Sequence, residues 1–100
     1  MRATILSLGL AMMCASATAV ANNRTEELYT IYCSSCHGVK NAEAPEAFNV
    51  SVWKKRMAKG TDVVVANAIK GIGNMPPLGT CFECAPADLR NLIRYMSSPP

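Results

Sequence analysis

The sequence predicts an all-α fold of about four helices joined by long loops. Apolar residues recur at helical spacing in three stretches, within residues 24–37, 61–72 and 86–96. Three consecutive valines at positions 63–65 would also suit a strand, but no partner strand is visible. No repeat, low-complexity tract or linker divides the chain, which indicates a single folded domain.

The first 21 residues have the pattern of a secretory signal peptide. Arg2 is their only charge, an apolar run follows from position 5 to 13, and small residues lead up to Ala21. Cleavage after Ala21 leaves residues 22–100 as the mature domain, which we expect to be exported to the periplasm. Lipid attachment at Cys14 is the alternative, and the large Met13 before it disfavours that reading.

The composition excludes two classes of function. No segment after residue 21 is apolar for long enough to cross a bilayer, so we expect no membrane insertion after cleavage. Loss of Arg2 lowers the formal charge from +3 to +2, which is far below the basicity expected of a nucleic-acid binder. An exported domain of this size also needs a disulfide, a metal or a cofactor to stabilise it.

The first helix is predicted to run from about Arg24 into the motif Cys-Ser-Ser-Cys-His. Asn23 and Glu26 resemble an N-cap with its reciprocal acid. Its apolar stripe contains Leu28, Ile31 and Tyr32. Residues 38–51 lack sustained periodicity and predict a loop.

Two further helices are predicted in the middle of the chain. The first covers about 52–59 and ends at Gly60. Thr61 is suited to cap the next one. The apolar stripe of that helix contains Val65, Ala68, Ile69 and Ile72. Glycines at 71 and 73 then end it.

A long loop over residues 71–85 precedes the last helix. Pro86 suits the first turn of that helix, and Asp88 favours its positive end. Its apolar face is predicted to contain Leu89, Leu92, Ile93 and Met96. Loops this long are unfavourable to order unless they enclose something.

The five residues from Cys33 to His37 contain the strongest chemical motif. On a helix, Cys33, Cys36 and His37 project from one face. Cys-x-x-Cys-His is the signature of covalent haem attachment, in which each thiol binds one vinyl group and the imidazole ligates the iron. This predicts one covalent haem c, which also supplies a core for a small domain.

Three other interpretations of these cysteines remain open. A zinc site would need all four mature cysteines, but 44 residues separate the two pairs. A thiol-disulfide oxidoreductase usually carries this motif after a strand, and it leaves His37 unexplained. A plain structural disulfide between Cys33 and Cys36 is the third.

Met75 is the best candidate for a second ligand of the haem iron. There is no second histidine, and a methionine thioether is a common partner. Met57 and Met96 lie on predicted helices, where core packing is the expected role. Met75 precedes two prolines, which restrict its backbone and favour a fixed reach, although it could simply anchor a turn.

The other two mature cysteines are predicted to form a disulfide. Cys81 and Cys84 are close in sequence and follow the Met75 loop directly. A loop this short gains only about 2 kcal/mol from closure, so the bond would be a local brace. A redox role for the pair is the alternative.

Four segments in order give the chain a family resemblance. They read EELYTIYCSSCHG, VWKKRMAKG, NMPPLGTCFEC and DLRNLIRYM. Together they resemble the class I cytochromes c of the small bacterial cytochrome c5 group, over nearly all of residues 24–97. The resemblance implies a cytochrome c fold, with helices and long loops wrapped around one covalently bound haem.

The resemblance also implies roles for particular residues. It assigns the thioethers to Cys33 and Cys36, the axial ligands to His37 and Met75, and the extra disulfide to Cys81 and Cys84. Trp53 and Arg56 match positions near the haem propionates, with core filling as the alternative for Trp53. Tyr29 and Tyr95 match the crossing of the first and last helices.

The expected function is single-electron transfer rather than catalysis. The family implies redox-protein partners, such as a quinol-oxidising complex as donor and a terminal oxidase or reductase as acceptor. Lys54, Lys55, Arg56 and Lys59 form a basic cluster that suits either an acidic partner or a solvated helix face. The competing function is an enzyme or ligand sensor in which Met75 releases the iron.

Overall fold

A computed structural model of the protein describes residues 3–5, 7–9 and 23–100. The expected cleavage after Ala21 and the alternative lipid site at Cys14 lie outside these residues. Within the described ranges, no helix combines the length and apolar character needed to cross a membrane.

The described chain is helical, which confirms the predicted all-α class. We number the helices α1 to α4, and they cover residues 23–37, Val50–Met57, Thr61–Lys70 and Pro86–Met96. A short 3₁₀ turn covers Pro77–Thr80. The described residues contain no β-strand, only an isolated bridge between Ile72 and Met75.

Helix α1 changes its geometry halfway along. It is α-helical over 23–28 and again over Ser34–His37, with a π-helical stretch over Tyr29–Cys33 between them. This wider turn disturbs the 3.6-residue period on which the prediction depended. Leu28 is therefore buried as predicted, whereas Ile31 is 67% exposed, contrary to the prediction.

The observed helix caps differ from the predicted ones. Asn23 is already helical, and Thr61 is the first residue of α3 rather than its cap. Gly60 separates the two helices: its N–H donates to the Met57 carbonyl of α2, and its φ of +97° turns the chain into α3. Asn49 caps α2, since its side-chain oxygen accepts the Val52 N–H.

Helix α4 begins as predicted. Pro86 is its first residue, and the Asp88 carboxylate accepts the Ala85 N–H at 2.9 Å. Its four predicted apolar residues are all buried, namely Leu89, Leu92, Ile93 and Met96. Helix α3 packs against α4 and against the 3₁₀ turn, and contributes Val65 and Ala68 to the core. Ile72, predicted to extend the α3 stripe, lies beyond the helix end and is 48% exposed.

Helices α1 and α4 are joined by polar and by aromatic contacts. Arg24 donates from Nε and Nη2 to the two carboxylate oxygens of Asp88, at 3.1 and 3.3 Å. Further along, the Tyr29 and Tyr95 rings meet edge to face with centroids 5.4 Å apart. This contact agrees with the placement that the family resemblance implied for the two tyrosines.

Candidate functional site

His37 ends α1 and is 7% exposed. Its Nδ1 lies 2.8 Å from the Pro45 carbonyl oxygen. A carbonyl can only accept a hydrogen bond, so Nδ1 carries the proton and Nε2 carries a lone pair. The loop after α1 therefore sets the tautomer that a metal ligand requires.

Nε2 of His37 is also open. The structure gives it no hydrogen-bond partner. Among the described residues, every fully buried side-chain nitrogen or oxygen does have such a partner. Nε2 therefore keeps some exposure to solvent, although the residue as a whole is buried. An accessible lone pair on a ring whose other nitrogen is fixed fits an axial ligand of iron.

Cys33 and Cys36 are free thiols within one helical turn of His37. Cys33 is half-buried, and Cys36 is exposed. Burial, with a smaller contribution from Cys36, raises the pKa of the Cys33 thiol to about 11. The two free sulfurs and the open imidazole are the donor set that covalent haem attachment needs, so the residues fit a haem c.

Cys81 and Cys84 are joined by a disulfide, with their Cα atoms 5.4 Å apart. Both are buried. Their sulfurs are thus not available to a zinc ion, and no group of three or more potential metal-binding His, Cys, Asp or Glu side chains occurs in the described part of the chain. The zinc interpretation lacks its ligands here.

The thiol-disulfide interpretation also lacks its structural setting. Cys33 and Cys36 lie at the end of α1, and the described residues contain no strand to precede them. They are unpaired, which also argues against a plain structural disulfide between them.

Met75 lies in the loop between α3 and the 3₁₀ turn. It is half-buried and packs against the core that Cys33 also contacts. A Cβ atom built at Gly79 would lie 3.4 Å from the Met75 Cε, so the absence of a side chain there leaves room for the thioether. The structure thus brings the Met75 loop and α1 to the same core, while Cys36 remains exposed.

The other two methionines within residues 23–100 have the packing roles predicted for them. Met96 is 4% exposed and belongs to the core of buried residues, and Met57 packs against that core. Neither lies in a loop next to the Cys-x-x-Cys-His motif.

Trp53 has a different partner from the one that the resemblance suggested. Its only N–H donates to the Glu46 carbonyl at 2.9 Å, and its side chain is 4% exposed. Because indole has a single donor, this arrangement leaves nothing with which to bind a propionate. Trp53 instead fills the core beside His37, with ring centroids 5.8 Å apart.

Arg56 is exposed on α2 together with Lys54 and Lys55, and Lys59 is exposed just beyond the end of that helix. None of these four forms an ion pair with a described residue. Arg56 is therefore free to bind an anionic group, and a contact with a propionate remains a prediction.

Sequence reasoning missed two residues that shape the site. Pro45 supplies the acceptor for His37, and Phe48 adopts a φ of +69° in the same loop. Neither had a signal: Pro45 indicated only a loop, and a large aromatic residue gives no reason to expect a left-handed backbone.

The helical fold and a Cys-x-x-Cys-His site with an oriented histidine define a c-type cytochrome. Comparison with known proteins agrees. The family model for cytochrome c oxidase, cbb3-type, subunit III matches residues 20–96. Cytochrome c5 of Ectopseudomonas mendocina is 38% identical over 74 residues, which cover 72% of this chain and 85% of that protein. Cytochrome c5 of Azotobacter vinelandii is 36% identical, with 72% and 89% covered.

A solved structure shares the fold. It is a chain from the crystal structure of the electron transfer complex of nitrite reductase with cytochrome c, with a TM-score of 0.65 and 36% identity, covering 73% of this chain and 89% of that one. The chain belongs to the class I cytochromes c, as a small monohaem cytochrome c5-like protein. Its cofactor is one covalent haem c with its iron, and it is an electron carrier.

Proposed function

We propose that the protein is a periplasmic single-electron carrier whose haem is attached through Cys33 and Cys36 and ligated by His37 and Met75. The observation that supports this best is the Pro45 bond to Nδ1 of His37, which leaves Nε2 accessible as a lone-pair donor. When bound, the haem supplies an iron that changes its oxidation state by one electron.

The orientation of His37 is fixed by two hydrogen bonds to the loop that follows α1. The Pro45 carbonyl holds the ring of His37 at Nδ1, and Ala47 donates its N–H to the backbone carbonyl of the same histidine at 2.7 Å. A hydrogen-bond acceptor on the other nitrogen of a ligating histidine fixes the ring and raises its basicity. Both effects suit a ligand that must bind the oxidised and the reduced iron alike.

Met75 is proposed for the opposite side because its loop is held on two sides. Its backbone is paired with Ile72, and the N–H donor of the preceding Asn74 side chain binds Glu43. A well-placed thioether would complete the coordination of the iron and raise its potential relative to two nitrogen ligands. Such a site has no open position for dioxygen or for a substrate, which is why we propose a carrier and not an enzyme.

Residues 1–21 are proposed to be removed and 22–100 to form the exported domain. The partners are proposed to be redox proteins, with a quinol-oxidising complex as donor and a terminal oxidase or reductase as acceptor. The similar chain in the complex with nitrite reductase supports a redox enzyme as partner. Neither nucleic acid nor insertion into a membrane is part of the proposal.

Two measurements on the purified, matured protein test the cofactor and the processing. A pyridine haemochrome spectrum should report a c-type haem, and the intact mass should equal residues 22–100 plus one haem. Cys33→Ser and Cys36→Ser should each leave a single thioether and shift the haemochrome band. A colourless folded protein would contradict the proposal.

Carbon monoxide tests the Met75 ligand and the rival function together. The reduced protein should show almost no spectral change with carbon monoxide at neutral pH, whereas an enzyme or sensor with a releasable ligand would respond. Met75→Ala should create the response and lower the potential. Met57→Ala is the matched control, since it should reduce stability alone; a silent Met75→Ala would make the axial assignment wrong.

A further inference from the structure

We propose that Phe48 is a positioning residue for His37, acting through residues 45–48, which we call the strap. The inference depends on the proposed role of His37 as iron ligand and deepens it. In this role, an aromatic side chain outside the Cys-x-x-Cys-His motif maintains the hydrogen bond between the Pro45 carbonyl and the imidazole of His37.

The strap binds three helices at once. Each of its four residues is hydrogen-bonded to a group outside the strap. His37 Nδ1 donates to the Pro45 carbonyl (2.8 Å), Trp53 Nε1 to the Glu46 carbonyl (2.9 Å), the Ala47 N–H to the His37 carbonyl (2.7 Å) and the Phe48 N–H to the Met96 carbonyl (2.7 Å). The Glu46 carbonyl also accepts the Asn49 N–H at 3.2 Å. A change in the backbone at one of these positions therefore moves the acceptor that orients the ligand.

Phe48 holds an unfavourable backbone conformation in the strap. Its φ is +69°, in the left-handed region that side chains with a Cβ rarely occupy. Relaxation to a negative φ would turn the strap away from the Met96 carbonyl and would shift Pro45 relative to His37. Such a conformation persists only when the surroundings impose it.

A cluster of three aromatic rings, which includes that of Phe48, holds this backbone conformation. Phe48 meets Tyr29 of α1 and Tyr95 of α4 edge to face, with centroids 5.6 and 5.1 Å apart, and the two tyrosines meet each other at 5.4 Å. Edge-to-face pairs add stabilisation beyond the area that they bury. The closed triangle anchors Phe48 to both helices that flank the site.

The connection to the iron site follows from these contacts. The ring triangle keeps Phe48 left-handed, this backbone keeps the Pro45 carbonyl on Nδ1, and that bond raises the basicity of Nε2. A more basic ligand favours the oxidised iron, so loosening the strap should raise the reduction potential. The Phe48 ring contacts the rings of Tyr29 and Tyr95 rather than the imidazole, which makes its effect on His37 indirect.

The test compares Phe48→Ala with Phe48→Gly in the holoprotein. Both variants remove the ring, but only glycine adopts a φ of +69° without strain. The first measurement is hydrogen exchange of the Ala47 N–H, which reports opening of the strap. The second is the reduction potential. Phe82→Ala is the matched control, since Phe82 is 80% exposed and far along the chain from the strap.

We expect the Ala47 amide to exchange about threefold to tenfold faster in Phe48→Ala than in Phe48→Gly, after allowance for the greater freedom of glycine in the open strap. The potential should rise in Phe48→Ala and lie closer to wild type in Phe48→Gly. A residue that only packs would give the opposite order, because glycine destabilises a fold at least as much as alanine where no strain is relieved.

Equal exchange in the two variants, or faster exchange with glycine, would overturn the proposal. Exchange does not depend on which residue ligates the iron, so this result is separate from a failure of the proposed function. If the two Phe48 variants differ in amide exchange but have identical reduction potentials, Phe48 does not act on His37. If Phe48→Ala does not fold, Tyr95→Leu should speed the exchange of the Ala47 amide and Tyr95→Phe should not; equal rates in these two would also contradict the role of the triangle.

Discussion

Ile72 and Met75 exchange two backbone hydrogen bonds, with the N–H of each donating to the carbonyl of the other at 3.1 and 2.9 Å. This pair closes a tight turn whose last residue is the proposed iron ligand. The turn begins after Gly71, which has a φ of +89° and a ψ of 146°. Only glycine adopts this region readily.

Gly71→Ala should therefore dislodge Met75. A Cβ atom at position 71 would lie 3.0 Å from both the Met75 oxygen and the Pro77 nitrogen, and neither backbone atom can move freely. We expect a loss of about 2–3 kcal/mol in the free energy of unfolding and a new carbon monoxide response in the reduced protein. Both are measurable by denaturant titration and absorption spectroscopy.

Gly73→Ala is the control for this prediction. Gly73 also has a positive φ, of +56°, but a Cβ atom there meets nothing within 4 Å. It should lose only about 1–2 kcal/mol for the backbone and leave carbon monoxide binding unchanged. If both variants bind carbon monoxide equally, contact with the Met75 turn is not what matters.

Asp88 should make stability depend on pH in the acidic range. The hydrogen bonds from Arg24 and from the Ala85 N–H lower the pKa of its carboxyl below the ordinary 3.8. A carboxyl with a depressed folded pKa stabilises the fold above its unfolded pKa and loses this effect as the pH falls through the folded value. The contribution should be complete at neutral pH, begin to decline near pH 4 and be lost as the pH falls through the depressed folded pKa.

Asp88→Asn tests this pH dependence. The variant should unfold more easily than wild type by about 1 kcal/mol at pH 7, and the difference should shrink towards zero as the pH is lowered to about 2. Chemical denaturation at a series of pH values measures both. Asp62→Asn removes an exposed ion pair with Arg90 and should change little. A difference that persists unchanged at low pH would contradict the charge-based account.

The disulfide is predicted to brace the fold without a part in electron transfer. Replacing both Cys81 and Cys84 by Ala should lower the free energy of unfolding by about 2 kcal/mol, since the closed loop is short. The Tyr32 hydroxyl, which donates to Glu83 within this loop at 2.8 Å, should lose its fixed partner. The reduction potential of the haem should stay the same; a clear shift would indicate the redox role instead.

Glu83→Gln tests whether the stabilisation comes from the disulfide itself or from the Glu83 carboxylate in the loop that the disulfide closes. This variant keeps the disulfide and removes the charge that Tyr32 and Arg24 contact. An exposed ion pair is worth little, so we expect less than about 1 kcal/mol of destabilisation. A loss equal to that of the double cysteine variant would assign the stabilisation to Glu83.

The basic cluster on α2 should have a modest effect on partner binding. After the proposed removal of residues 1–21, the formal charge of +2 would be offset by two haem propionates, so long-range attraction should be weak. Lys54→Glu with Lys55→Glu should slow association with an acidic partner severalfold at low salt, and the difference should vanish near 1 M salt, where the Debye length is about 3 Å. Stopped-flow kinetics measure both rates.

Lys70→Glu provides the same kind of charge change away from this cluster, at the exposed end of α3. A surface that recognises a partner locally should respond to the α2 variant more than to Lys70→Glu. Equal effects would indicate net charge alone, and a rate for the wild type that collapses steeply with salt would contradict the near-neutral holoprotein.

The sequence by itself determined the features that depend on local spacing. The Cys-x-x-Cys-His motif predicts its cofactor, because two sulfurs and an imidazole at these positions share one helix face. The face of α4 was predicted residue by residue, since a regular helix repeats every 3.6 residues and its first turn contains Pro86 and Asp88.

Only the tertiary structure decided what depends on contacts between distant segments. The π-helical stretch in α1 exposed Ile31 against its pattern, and Trp53 donates to Glu46 rather than remaining available for a propionate. No sequence pattern predicted the hydrogen bond between the Pro45 carbonyl and His37 or the left-handed backbone of Phe48. Both arise because helices α1 and α4 enclose the strap, and packing can impose a backbone conformation that no local preference would choose.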